Sequence, residues 1–173
     1  MTRKRIIKLT LILSILGLSI YYFYPDEKLP TNINVDSIVI YKSQRQLLAY
    51  SNDKLIKTYK ISLGGNPKGD KEYEGDEKTP EGVYYINDKN PSSRYHKNLA
   101  VSYPNAQDIK DARALGKPSG GEIKIHGLMN KLSFISKFHR WFDWTAGCIA
   151  LTDEEIDELY SCVKIGTRIE IKP

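Results

Sequence analysis

Asp143-Trp144-Thr145-Ala146-Gly147-Cys148-Ile149-Ala150-Leu151, followed at once by Thr152-Asp153-Glu154-Glu155-Ile156-Asp157-Glu158-Leu159-Tyr160-Ser161-Cys162-Val163, sets a glycine turn, a short apolar run and a helix in close succession. Thr152 with Glu155 three positions on is a capping box. Ile156, Leu159, Tyr160 and Val163 then recur at i, i+3, i+4 and i+7, so one face packs inward. Gly166 is expected to end that helix. Elsewhere the apolar residues alternate or cluster in short runs. Ile38 to Tyr41 and Leu47 to Tyr50, with the polar Lys42-Ser43-Gln44-Arg45 between them, read as a hairpin, and Leu55 to Leu63 as a third strand. Further strands are expected at Val83 to Ile86, Leu99 to Tyr103, Ile123 to His126 and Arg168 to Ile171. The pattern gives a mainly β domain with one short helix near its C-terminal side. Two long polar stretches, Gly64 to Pro80 and Pro104 to Gly121, read as loops.

The 173 residues suffice for one compact core. Ahead of it, Arg3, Lys4, Arg5 and Lys8 precede or interrupt an otherwise uncharged run from Ile6 to Tyr24. As a helix this run nearly crosses a bilayer core, with its basic end on the cytoplasmic side and Tyr21, Tyr22, Phe23 and Tyr24 at the far interface. We read residues 1–24 as a single-pass anchor in the inner membrane, 25–35 as an extended linker and 36–173 as a domain in the periplasm. A cleavable signal peptide is the competing reading, but no clear small-x-small site precedes the aromatic cluster. The formal charge of +5 is concentrated in this leader. The remaining 22 basic side chains face 21 acidic ones without forming a stripe, so nucleic acid is not an expected partner.

The chemistry-bearing residues are Ile125-His126-Gly127-Leu128 and Thr145-Ala146-Gly147-Cys148-Ile149. A thiol is a strong nucleophile only as thiolate, and a neighbouring imidazole accepts its proton and returns it to a leaving amine. His126 ends one expected strand and Cys148 begins the next apolar run, so antiparallel pairing of the two would bring their side chains together. Gly147 lets the backbone approach a substrate, and the amides around Gly147 and Cys148 point to an oxyanion site. His139 reads as a surface residue and Trp144 as core, while Trp141 and Phe142, with Lys131 to Arg140, read as a lid over the site. His126, His139 and Cys148 match no familiar metal-ligand spacing, and neither metal nor cofactor is expected. Cys162 reads as a small core hydrophobe; an oxidising compartment raises a disulfide to Cys148, but the rise of the helix sets Cys162 more than about 10 Å from its start, so both are expected to stay free thiols.

The His-Gly pair, the Thr-x-Gly-Cys-Ile element and the upstream Lys78-Thr79-Pro80-Glu81-Gly82-Val83-Tyr84 together resemble the catalytic domain of L,D-transpeptidases (YkuD-like), over roughly Asp36 to Ile171. The resemblance implies a β-sandwich-like domain, Cys148 as nucleophile, His126 as base supported by the Gly127 carbonyl, and Thr145 and Gly147 at the hydroxyl and glycine positions beside the substrate. It implies peptidoglycan stem peptides as substrate, with D-Ala released from a tetrapeptide and a cross-link formed. Hydrolysis by the same acyl-enzyme, as in an L,D-carboxypeptidase or amidase, and a catalytically silent wall-binding module remain alternatives. Ala146 stands where many relatives carry a second histidine, and Ala150 where many carry Arg or Asn. A reporter that works only outside the cytoplasm, fused after Pro173, is expected to be active; an inactive reporter in a stable fusion would reverse the topology.

Overall fold

The computed structural model describes residues 2–30 and 32–173; Met1 of the expected anchor and Thr31 of the expected linker lie outside the described residues. Helix α1 (Arg3–Phe23) buries none of its residues. After a segment without helix or strand come β1 (Val35–Tyr41), β2 (Gln46–Ser51), β3 (Lys54–Lys60), β4 (Gly82–Ser93), β5 (His96–Val101), α2 (Ala106–Ala114), β6 (Lys124–His126), a 3-10 segment (Asn130–Trp141), β7 (Ile149–Ala150), α3 (Asp153–Cys162) and β8 (Val163–Lys172). The expected mainly β architecture is present.

The eight strands form one sheet in the order β3-β2-β1-β8-β4-β5-β6-β7. The polar turn after Tyr41 sets the β1–β2 hairpin, in which Ile40 faces Leu47 and Ile38 faces Ala49. These four side chains are fully buried on one face. Each such aliphatic side chain contributes about 1.5–3 kcal/mol relative to exposure, except the smaller Ala49. The curl comes from β4. Its first half pairs with β8 and its second half with β5, with register breaks after Ile86 and Asn90 that bend the strand between its partners. The chain beyond β3 then returns to the opposite edge, where Ser62 bridges Ala150 and Gly64 bridges Thr145. The sheet therefore folds over its own core, and the turn before Cys148 lies at the seam.

Two expectations need correction. The Pro104 to Gly121 stretch contains α2, capped by Asn105, whose side chain accepts from the Gln107 and Asp108 amides at 2.7 and 3.1 Å while Asp108 accepts from the Asn105 amide. Only Ala112 of this helix is buried, so no apolar period announces it. Gly166 does not end α3. The chain turns extended at Val163, and Gly166, at φ 91°, sits inside β8 where the pairing jumps from Val35–Val163 to Ser37–Arg168. A glycine after a helical period signals a cap or a bulge equally well. In the segment after α1, Leu29 is buried, its amide bonds to Glu158, and Asp26 pairs with Lys137 and Arg140.

The Gly64 to Pro80 stretch is a loop built around Asp76. That carboxylate accepts from Lys71 Nζ at 2.7 Å and from the amides of Glu72, Tyr73 and Lys78 at 2.7, 3.2 and 3.0 Å. Both members of the Lys71–Asp76 pair are buried. Lys42 is also buried and donates to the carbonyls of Gly69 and Thr79 and to Glu81. Asp76→Ala would strand the Lys71 ammonium, and breaking one side of such a buried pair costs about 3–5 kcal/mol. Thermal or denaturant unfolding should register a loss of that order, whereas a loss within noise would show that the loop does not depend on Asp76.

Candidate active site

β6 and β7 are parallel neighbours, with Ile125 opposite Ile149 and His126 opposite Ala150. The antiparallel arrangement expected from sequence is thus corrected, but the consequence is similar: Cys148, one residue before β7, and His126, the last residue of β6, line the same cleft of about 670 Å³. The pairing continues through the Leu151 amide, which donates to the His126 carbonyl at 2.9 Å.

The turn that carries Cys148 is braced from two sides. Thr145 is buried, and its Oγ1 donates to the Cys148 carbonyl at 2.7 Å while accepting from the Gly147 amide at 3.1 Å. Gly147 adopts φ 130°, and a Cβ there would meet the Lys78 carbonyl oxygen at 2.6 Å, so both conformation and space require glycine. The outer brace is the Lys78-Thr79-Pro80 stretch, where Thr79 Oγ1 accepts from the Gly64 amide at 3.1 Å. The Gly65 amide donates to the Thr145 carbonyl, and the Thr145 amide to the Leu63 carbonyl. Gly147 N–H is thereby engaged by Thr145, whereas the Cys148 amide meets no protein acceptor among the described residues.

His126 is 4% exposed, and its Nδ1 lies 2.6 Å from the Gly127 carbonyl oxygen. A carbonyl only accepts, so Nδ1 carries the proton and Nε2 keeps a lone pair. Burial is the main cause that pushes its pKa down to about 4, and the Lys124 charge acts the same way, against the Gly127 bond. Gly127 is held close to α3, where an added Cβ would meet Asp153 Oδ1 at 2.6 Å. The Cys148 thiol lies 3.4 Å from the Glu122 carbonyl, and burial raises its pKa, offset in part by the Lys124 backbone and ammonium. Thiol and imidazole are therefore both neutral at rest near pH 7.

Several cleft residues escaped sequence reading. Trp144, expected in the core, is half-buried and lines the cleft, its ring centroid 5.8 Å from that of His126. The Tyr95 ring packs tilted against His126 with centroids 4.7 Å apart, and Asn98, buried on β5, stands opposite His126 in the β5–β6 register. Asn98 precedes the strand expected at Leu99 to Tyr103 and alternates away from the core residues Leu99 and Val101, so no local signal marked it. His139 is buried, not exposed: Ser62 Oγ lies 3.1 Å from its Nδ1 and donates to its carbonyl, and burial takes its pKa down to about 3. His96 is partly exposed and paired with Asp157. The expected lid does not cover Cys148, because no residue from Lys131 to Phe142 lines the cleft, and Trp141 and Phe142 are exposed. Ala146 does line the cleft, while Ala150 is fully buried behind it. Cys148 and Cys162 are free thiols.

Comparison with known proteins bears on this arrangement. The L,D-transpeptidase catalytic domain (YkuD) profile matches residues 35–171. The chain is 33% identical over 132 residues to the putative L,D-transpeptidase YafK of Escherichia coli K12, covering 73% of this chain and 46% of that protein. The crystal structure of the helical cell shape determining protein Pgp2 from Campylobacter jejuni superposes with a TM-score of 0.61 at 29% identity, over 82% of this chain and 48% of that one. An L,D-transpeptidase from Xylanimonas cellulosilytica shares the fold, with a TM-score of 0.52 at 15% identity, over 85% of this chain and 65% of that one. The chain spans about half the length of the curated relatives it matches. With the profile matched across nearly the whole β domain, the chain belongs to the L,D-transpeptidase catalytic domain family.

Proposed function

We propose that this chain is a peptidoglycan L,D-transpeptidase held at the outer face of the inner membrane by α1, working through Cys148 and His126 without metal or cofactor. The observation that carries the reading is the Nδ1–Gly127 bond, which leaves His126 Nε2 as a basic lone pair in the cleft that Cys148 also lines. In the proposed reaction Nε2 takes the Cys148 proton as sulfur attacks the carbonyl between the L-centre of the third-position diamino acid and the terminal D-Ala of a tetrapeptide stem. The Cys148 amide donates to the oxyanion that forms, while Thr145 and Gly147 keep the turn in the conformation that presents that amide. Collapse expels D-Ala, which takes the proton from the imidazolium, and a thioester remains. The amine of a second stem loses a proton to His126, attacks the thioester and restores the thiol. The energy of the exchanged amide bond is retained throughout, so no nucleotide is required outside the membrane.

Because both partners are neutral at rest, proton transfer accompanies attack instead of preceding it. His126 has to be unprotonated, and burial moves its pKa from 6.5 to about 4. The kcat/KM profile should therefore hold as pH drops through 6.5 and fall only near pH 4; an acid limb near 6.5 would mean that His126 titrates as an exposed imidazole. Cys148→Ala and His126→Ala should each lower turnover of a defined tetrapeptide by about 1,000-fold or more with an unchanged unfolding midpoint, since nucleophile and base act as a unit. Mass analysis of products with an amine-bearing acceptor present should show the joined stems. Tripeptide alone would assign the water-resolved carboxypeptidase reaction, and unreacted tetrapeptide the silent module.

A further inference from the structure

The 3-10 segment Asn130–Trp141 inverts the polarity of an ordinary protein surface. Two of its three Lys and Arg side chains, Lys137 and Arg140, turn inward, where Lys137 reaches the Tyr24 carbonyl and Asp26, and Arg140 bonds Glu155 Oε1 at 2.7 Å, while Lys131 at its start stays exposed. Its large apolar side chains turn outward, with Phe134 71%, Trp141 57% and the following Phe142 64% exposed. An exposed apolar surface of this kind marks a contact with something other than water.

The position of the segment identifies the partner. Tyr22 of α1 donates its hydroxyl to the Phe134 carbonyl at 2.9 Å, and Tyr21 donates to the Lys137 carbonyl at 3.2 Å. Tyr21 packs against Phe138 and Trp141 at ring distances of 5.7 and 6.0 Å, and Tyr22 against Phe138 at 5.6 Å. The outward aromatic side chains are thus continuous with the last turn of a 21-residue helix whose Ile and Leu side chains are all exposed. A helix of that length rises about 31 Å, close to the thickness of a bilayer core, which sets its aromatic end at the interface. Tyr and Trp favour that depth, where an apolar body and a polar tip are both satisfied.

We propose that Asn130–Phe142 is an interfacial membrane-binding surface, seated among the lipid headgroups of the same bilayer that α1 crosses. This inference rests on reading α1 as an anchor. It gives the expected lid a different role: Met129 and Trp144, which flank the segment, line the cleft, so the seated surface fixes the height and orientation of the cleft above the bilayer. The chain has two tryptophans: Trp141 is 57% exposed on the segment, whereas Trp144 is half-buried between the cleft and the apolar pocket it shares with Leu132, Ile135 and Phe142.

The test uses the full chain in phospholipid vesicles whose acyl chains are brominated near the carbonyl end. With Trp144→Phe, the remaining Trp141 emission should shift to the blue and be largely quenched, whereas with Trp141→Phe the half-buried Trp144 should be quenched several-fold less. Chain that resists alkaline carbonate extraction but leaves Trp141 unquenched would overturn the interfacial surface and leave the anchor standing. Chain that carbonate removes would overturn the anchor reading and this inference with it. Equal quenching of both tryptophans would also overturn the placement, as would a blue-shifted but unquenched Trp141 in chain that cross-links to itself, which would assign the surface to a second copy.

Discussion

Two adjacent backbone registers, Ile125 with Ile149 and His126 with Ala150, fix where His126 and Cys148 sit. They join residues more than twenty positions apart, and neither strand would hold that pairing alone. β6 is three residues long and β7 two. Their stability is borrowed from β5 on one side and from the Ser62–Ala150 bridge on the other, with Ile125 and Ile149 fully buried between. The curl of the sheet is thus a condition of the site, because without the return of the chain after β3 the edge carrying Cys148 would be unpaired. The loop anchored by Asp76 completes the enclosure by setting the Lys78 carbonyl against Gly147.

The electrostatics of the cleft follow from the same burial. A charged imidazole or thiolate held away from water is penalised, and the two pKa values move in opposite directions for that one reason, down at His126 and up at Cys148. On the proposed reading the ion pair is therefore confined to the reaction itself, when substrate carbonyl and amide donors are present to receive the charge. The Gly127 carbonyl contributes by selecting the tautomer, a task that needs backbone geometry and no further side chain. Ala146 fits this economy of side chains, since it lines the cleft with a methyl group only.

Sequence made legible the features whose physics is local. The hairpin from Ile38 to Tyr50, the Thr152–Glu155 capping box and the glycine before Cys148 each rest on residues within a few positions, and each is found. What escaped depended on distant partners. His139 carries no local sign of burial, which comes from Ser62 across the sheet seam. Trp144 lies in an apolar run that reads as core until the cleft opens beside it. The parallel sense of β6 and β7 follows from the long 3-10 connection between them, whose apolar and basic residues suggested a lid. Helix α2 is polar on nearly all sides, so its only sequence sign was the Asn105–Asp108 box at its start.

The central claim is that Cys148 becomes covalently acylated by the stem peptide. Acid quenching of the full chain during turnover of a tetrapeptide stem, followed by peptide mapping under conditions that preserve thioesters, tests this most directly. The account predicts one hydroxylamine-labile adduct, the tripeptide acyl group, on the peptide containing Cys148 and none on the peptide containing Cys162. Turnover with no adduct on Cys148, or with the acyl group on another residue, would contradict it.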